Sequence, residues 1–224
     1  MRAGYIPGID LKKLLDPDAE PWQKARPERV RLMGTPLGLQ PTDAIRANWA
    51  TKPIGAVEQV AVTALHDGRM LAFRLEWGDP SENRTIEDTT QFPDSAAIVM
   101  PSQAGAPLVT MGAPGAAVNA WYWRADDEDG PGRHVVAEGI GTSRTLDREL
   151  VQSRGLWKGG RWRVVIARAL RVETNEPVAQ LRAGEKTSFG VAVWEGSQAE
   201  RAGIKAFSGD WRELELEAAH TVRR

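Results

Sequence analysis

The sequence predicts an all-β protein: an antiparallel β-sandwich with a proline-rich extended N-terminal arm and one or two short helices. Three observations carry this expectation. From Val57 onward the apolar residues recur with period two, as in half-buried strands. Turn residues punctuate that region about every ten positions, the rhythm of a sandwich. Seven of the fourteen prolines lie between Met1 and Ile54, a density that opposes both helix interiors and central strands.

Residues 1–56 are therefore read as an arm, extended and irregular, that wraps its own domain or clasps a partner. A helical turn is expected at Asp10–Leu15. A second is expected at Pro41–Ala50, where Thr42 can cap and Ile45 and Trp49 share a face. Residues 57–224 form the sandwich. Val60, Val62 and Ala64 line one face, His66-Asp67-Gly68-Arg69 makes the bend, and Leu71, Phe73, Leu75 and Trp77 line a face again. Further strands are expected at Ala96–Met100, Leu108–Met111, Val118–Trp123, His134–Ile140, Arg161–Leu170, Ser188–Trp194 and Trp211–Glu217. Gly159-Gly160 bends Leu156–Lys158 into the strand that starts near Arg161. Leu146–Gln152 reads as the short helix of this region. There is no internal repeat and no βαβ alternation.

Composition excludes several functions. In 224 residues, 42% apolar and 26% charged, 29 basic side chains face 30 acidic ones, so no strong field steers nucleic acid. No run approaches the ~20 apolar residues of a membrane span. MRAGYIPGID lacks the apolar stretch of a signal peptide. The absence of cysteine removes disulfides, thiolate metal sites, covalently attached haem and cysteine nucleophiles. Serine-hydrolase elbow, phosphate-loop and zinc-helix motifs are missing. Asp126, Asp127, Glu128 and Asp129 fall in a Gly/Pro-rich loop and read as solvated charge. His66 in a turn, His134 after that loop and His220 in the tail read as surface histidines.

Tryptophan is the unusual component, with nine against two tyrosines and four phenylalanines. Trp121 and Trp123 share a strand face, and Trp157, Trp162, Trp194 and Trp211 lie on or beside other strands. Three uses are open: core filling, a stacking platform for sugar rings as in a carbohydrate-binding module, or an apolar cavity around a flat cofactor.

The stretch Leu108-Val109-Thr110-Met111-Gly112-Ala113-Pro114-Gly115-Ala116-Ala117-Val118-Asn119-Ala120-Trp121-Tyr122-Trp123 resembles the haem b (gamma) subunits of type II dimethyl sulfoxide reductase-family molybdoenzymes. This family serves ethylbenzene dehydrogenase, chlorate and selenate reductases and dimethyl sulfide dehydrogenase. Phe92-Pro93-Asp94-Ser95-Ala96-Ala97 is similar to the segment that leads to the family's methionine. Gly160-Arg161-Trp162-Arg163-Val164-Val165-Ile166-Ala167-Arg168 resembles its Trp-containing basic strand. Val191-Ala192-Val193-Trp194-Glu195-Gly196-Ser197, followed by Glu200-Arg201 and Lys205, resembles its Ala-x-Trp-Asp-Gly block, with Glu where Asp is usual. The likeness spans nearly the whole chain.

The resemblance implies a β-sandwich holding one noncovalent haem b between a methionine sulfur and a lysine amine. The methionine carries over to Met111 and the lysine to Lys205, with Lys186 as the alternative and Lys158 behind it. Such a lysine ligates only as the neutral amine, so its pKa must fall far below ~10.4. With both axial positions taken by protein, the implied role is electron transfer and not catalysis. The implied partners are a molybdenum-cofactor catalytic subunit, an iron–sulfur subunit, which the arm is a candidate to clasp, and a soluble carrier such as a c-type cytochrome. The implied compartment is the periplasm, reached after loss of a signal or together with a folded partner. The rival expectation is a Trp-rich carbohydrate-binding sandwich without a redox centre.

Overall fold

A computed structural model describes residues 1–127, 129–146 and 148–219. The chain folds as a β-sandwich whose two sheets are joined along one edge. In the first sheet, Gly130–Pro131, Val151–Trp157, Arg161–Ala169, Met70–Gly78 and Gln59–His66 run side by side, all antiparallel, and Glu28–Arg31 flanks Gln59–Val62. The second sheet orders Arg144–Thr145, Arg133–Ala137, Val118–Arg124, Ser95–Pro101 and Lys186–Trp194. The far edge of Lys186–Trp194 is shared, Ala192-Val193 pairing with Ala206–Phe207 and Lys186–Phe189 with Arg212–Leu216. Arg2–Tyr5 closes the seam: Arg2-Ala3 run parallel to Glu215-Leu216 and Gly4-Tyr5 parallel to Leu65-His66.

Local chemistry explains the bends. Asp67 Oδ1 accepts the amides of Arg69 and Met70 at 2.8 and 2.7 Å, and Gly68 takes φ +88°. Gly159 and Gly160, both left-handed at φ +61° and +72°, turn the chain between Val151–Trp157 and Arg161–Ala169.

Alternation along the strands sends one set of side chains between the sheets. Trp77, Trp123 and Trp162 meet there, the closest pair being Trp123 and Trp162 with centroids 4.8 Å apart, edge to face. Phe73 contacts both Trp121 and Phe189. These large aromatics bury about 150–250 Å² each and fill the core. Core filling is thus the use of Trp121 and Trp123, which corrects their candidacy as a sugar-stacking platform. Arg168 is also enclosed: its guanidinium lies 4.6 Å from the Trp121 ring, donates to Asn119 Oδ1 and the carbonyls of Ala169, Leu170 and Ala179, and burial holds its pKa down to about 10.

The arm differs from the extended, irregular path expected of it. Strands form at Arg2–Tyr5, Glu28–Arg31 and Met33–Gly34, and helices at Leu11–Leu15, Glu20–Lys24 and Asp43–Trp49. The prolines sit between these elements or in a first helical turn, as Pro21 does, where no backbone donor is required. Thr42 caps its helix as anticipated, and Asp10 caps the first helix by accepting the Lys12 amide. Leu14 and Trp22 press onto the outer face of the first sheet against Leu65, Ala72, Val165 and Ala167.

Other expectations are also corrected. Leu108–Met111 is a turn and not a strand, because Pro107 and Gly112 bracket it and the Met111 amide bonds back to the Leu108 carbonyl. Leu146–Gln152 holds only the short turn Arg148–Leu150 before the strand from Val151 begins. His66 and His134 are buried and not at the surface, since each faces inward on its strand; His66 lies beneath the Tyr5 ring of the arm, and burial lowers its pKa. His220 and Glu128 lie outside the described residues. Asp126 and Asp127 pair with Arg124 and Arg133 at the surface, as a solvated charge run should. No helix among the described residues is long and apolar enough to cross a membrane.

Replacing Trp121 by Ala should cost about 3–5 kcal/mol in a denaturant titration. Ile86→Ala, at a side chain 61% exposed, should change stability by less than about 0.5 kcal/mol. Equal losses from the two would contradict this placement of the core.

Candidate functional site

The outer face of the second sheet is built from the alternate residues of the strands that carry tryptophan inward. Ala97 and Val99, Val118 and Ala120, Ala137 and Ala192 give it a floor of small side chains. Larger residues rim this floor: Leu108, Met111, Tyr122, Trp194, Phe207 and Trp211. Tyr122 meets Trp194 edge to face at 5.1 Å, and the Trp211 indole donates to the Ala106 carbonyl at 2.8 Å. Gly190 lets Leu108 pack close beside this floor, since a Cβ there would lie 2.9 Å from both Leu108 methyl groups and would displace them.

Met111 reaches the rim from the turn after Pro107. Its amide donates to the Leu108 carbonyl and its own carbonyl accepts from Gly139, both at 2.9 Å. The backbone is left-handed at φ +57°, uncommon for a side chain of this size. Gly112 follows at φ +88°, where a Cβ would lie 2.6 Å from the Ala137 carbonyl oxygen. Thr110-Met111-Gly112 is thus pinned from both sides, holding the thioether against the apolar floor.

Lys205 approaches the same rim from Glu195–Lys205, the segment after Lys186–Trp194. It directly precedes the short strand Ala206–Phe207. The side chain is 8% exposed. Nζ sits 5.5 Å from the Trp194 ring centroid, with no ion pair or hydrogen bond to any described residue. Burial holds the amine down to about 8, with the Glu200 charge pulling the other way.

The arm fixes this segment. The Thr35 hydroxyl donates to the Gly203 carbonyl at 2.6 Å, the Thr35 amide donates to the Lys205 carbonyl at 3.0 Å, and Met33–Gly34 pairs with Ala206–Phe207. Buried Glu200 accepts the amides of Gly55, Ala56 and Glu195 at 2.6, 3.0 and 3.1 Å. Burial raises its pKa, and those amides oppose the rise. Sequence reading gave no role to Thr35 or Glu200. A lone threonine between Gly34 and Pro36 carries no pattern, and Glu200 stood only as a marker within a motif.

The other lysines stand elsewhere. Lys186 is exposed and pairs with Glu213 at 3.0 Å, which raises its pKa. Lys158 is exposed in the turn before Gly159. The structure therefore brings Met111 and Lys205, and neither alternative lysine, to one apolar face. A thioether and a buried lysine amine without a hydrogen-bonded partner among the described residues are donors able to ligate a haem iron once the amine is neutral, and the residues fit that group.

A family model described as ethylbenzene dehydrogenase matches residues 19–148 and 131–206. The chain belongs to the ethylbenzene dehydrogenase family. Chlorate reductase subunit gamma of Ideonella dechloratans is 34% identical over 199 residues, covering 88% of this chain and 78% of the relative. A Haloferax mediterranei protein named as a candidate respiratory nitrate reductase heme subunit is 31% identical, covering 87% and 66%. Dimethylsulfide dehydrogenase subunit gamma of Rhodovulum sulfidophilum is 29% identical, covering 91% and 76%. The resemblance to gamma subunits of type II dimethyl sulfoxide reductase-family enzymes is borne out. Among solved structures, a family 9 carbohydrate binding module from Caldicellulosiruptor kristjanssonii in complex with glucose has a TM-score of 0.54 at 11% identity, covering 100% of this chain and 98% of that one. At that identity the likeness shows the sandwich fold alone.

Thr35→Val should free the Lys205 segment at a cost of about 1 kcal/mol in global stability. Hydrogen exchange at the Lys205 and Ala206 amides should accelerate more than exchange in Arg161–Ala169. Uniform acceleration across both would contradict the clasp.

Proposed function

We propose that this chain is the electron-transfer subunit of a periplasmic molybdenum oxidoreductase complex, holding one noncovalent haem b between Met111 and Lys205. The observation that carries the reading is the Lys205 amine, buried without a hydrogen bond or ion pair on the apolar face that Met111 borders. Membership among gamma subunits supports it, as does the relative named for heme.

Haem bound there supplies a one-electron iron couple. The chain's own residues do the rest. Lys205 Nζ gives up its proton near pH 8, so the neutral amine at pH 7 costs only about 1.4 kcal/mol per pH unit below that value. Trp194 keeps water from one side of Nζ, and Thr35 with Glu200 holds the segment in register. Met111 offers a soft thioether, a donor that favours the reduced metal and raises its potential. The floor side chains are small, four alanines and two valines, which keeps this face flat.

The partners proposed for this chain are a catalytic subunit with the molybdenum cofactor, an iron–sulfur subunit, and a soluble carrier such as a c-type cytochrome; the relatives' names as subunits of larger enzymes support a catalytic partner. The chain itself is non-catalytic, and the complex's substrate specificity resides in another subunit.

The test is the absorption spectrum of the purified protein. It should show a Soret band that shifts on dithionite reduction, and its haem should be extractable into acidified organic solvent. Met111→Ala should lower the potential or open a carbon monoxide site. Lys205→Ala should alter the low-spin spectrum, and Lys186→Ala should leave it unchanged. A protein that takes up no haem, or a Lys205→Ala spectrum identical to the parent's, would overturn the assignment.

A further inference from the structure

Three buried carboxylates meet at one end of the sandwich, away from the apolar face. Asp79 directly follows Met70–Gly78, Asp94 directly precedes Ser95–Pro101, and Glu195 directly follows Lys186–Trp194. Strand ends from both sheets thus converge. Each residue offers a carboxylate oxygen within 4.8 Å of the other two, and none is more than 5% exposed.

The donors around them are few. Asp94 Oδ1 accepts the Gly196 amide at 2.9 Å, and its Oδ2 accepts the Asn83 amide and the Trp162 indole at 2.8 and 2.9 Å. Glu195 Oε1 accepts the Ser197 amide and Asp79 Oδ1 the Ser81 amide. Asp79 Oδ2 is buried and receives no N–H or hydroxyl donor, its side chain meeting instead the Glu195 carboxyl group. Among the described residues no lysine or arginine forms an ion pair with the three. The nearby Arg84 guanidinium lies over the Trp162 ring and is engaged by Glu82 and the Ala125 carbonyl.

Three carboxylates this close and this dry cannot all stay ionised without positive charge among them. We infer that Asp79, Asp94 and Glu195 bind a hard divalent cation of the calcium class. The donor set is oxygen alone, which suits calcium better than zinc or copper. Asp79 Oδ2, buried with no N–H or hydroxyl donor, supplies a ligand position facing the Glu195 carboxyl group.

The site would tie the start of the 79–94 loop to Glu195, the first residue of the segment ending in Lys205. It stands on its own geometry and does not depend on the haem assignment.

The full chain, stripped with EGTA, is titrated with terbium chloride and then with calcium chloride. Indole-sensitised terbium emission should appear at one equivalent, with Trp162 as nearest donor, and calcium should displace it. Calcium should raise the melting temperature by several degrees, and magnesium by clearly less. Asp79→Asn should abolish both the emission and the calcium shift. In EGTA the same variant should melt no lower than the parent, because it removes one of three crowded carboxylates. Glu195→Gln serves as the second variant and should behave alike. Absence of emission together with equal melting in calcium and EGTA would overturn the site, as would binding that survives both substitutions.

Discussion

A primary amine buried at an apolar face without a direct ion-pair partner is the constraint around which this molecule is organised. Lysine is among the costliest side chains to bury, and the ordinary remedy is a carboxylate partner. Lys205 has none: Glu200, the nearest acid to act on it, spends its oxygens on three backbone amides. Its carboxylate therefore anchors the segment and leaves Nζ uncommitted. A surface lysine such as Lys186, already paired with Glu213, has no comparable reason to lose its proton.

The sandwich makes this possible by giving the second sheet two unlike faces. Period-two alternation sends Trp121 and Trp123 inward and leaves Val118 and Ala120 outward on the same strand. The aromatic interior supplies stability, so the outer face is free to be flat and small. The first sheet has no such freedom, because Leu14 and Trp22 of the arm cover its outer side. A related fold carries a carbohydrate module, which illustrates that the architecture is a scaffold and the chemistry belongs to the rim residues.

Much of the sandwich was legible because strands announce themselves locally. The Asp67-Gly68 bend, the Gly159-Gly160 bend and the Thr42 cap each depend on a few adjacent residues, and each formed as read. The arm was harder, since its strands exist only by pairing with residues far along the chain: Arg2 with Glu215, Met33 with Phe207. Leu108–Met111 looked like a strand because apolar runs fit strands and covering turns alike. Burial of His66 required the Tyr5 ring, sixty-one positions earlier in sequence. For the site, Met111 and Lys205 came from motif resemblance. Nothing in the spacing of residues revealed that Thr35 steadies the lysine, or that Asp79, Asp94 and Glu195 converge.

The central claim is the proposed identity of the two groups that would hold the haem iron. Near-infrared magnetic circular dichroism of the oxidised holoprotein tests it most directly, because the energy of the porphyrin-to-iron charge-transfer band reports the axial pair. The account predicts the band of a thioether with a neutral amine, lost when Lys205 is replaced. A band characteristic of two imidazoles, or of imidazole with thioether, would contradict it.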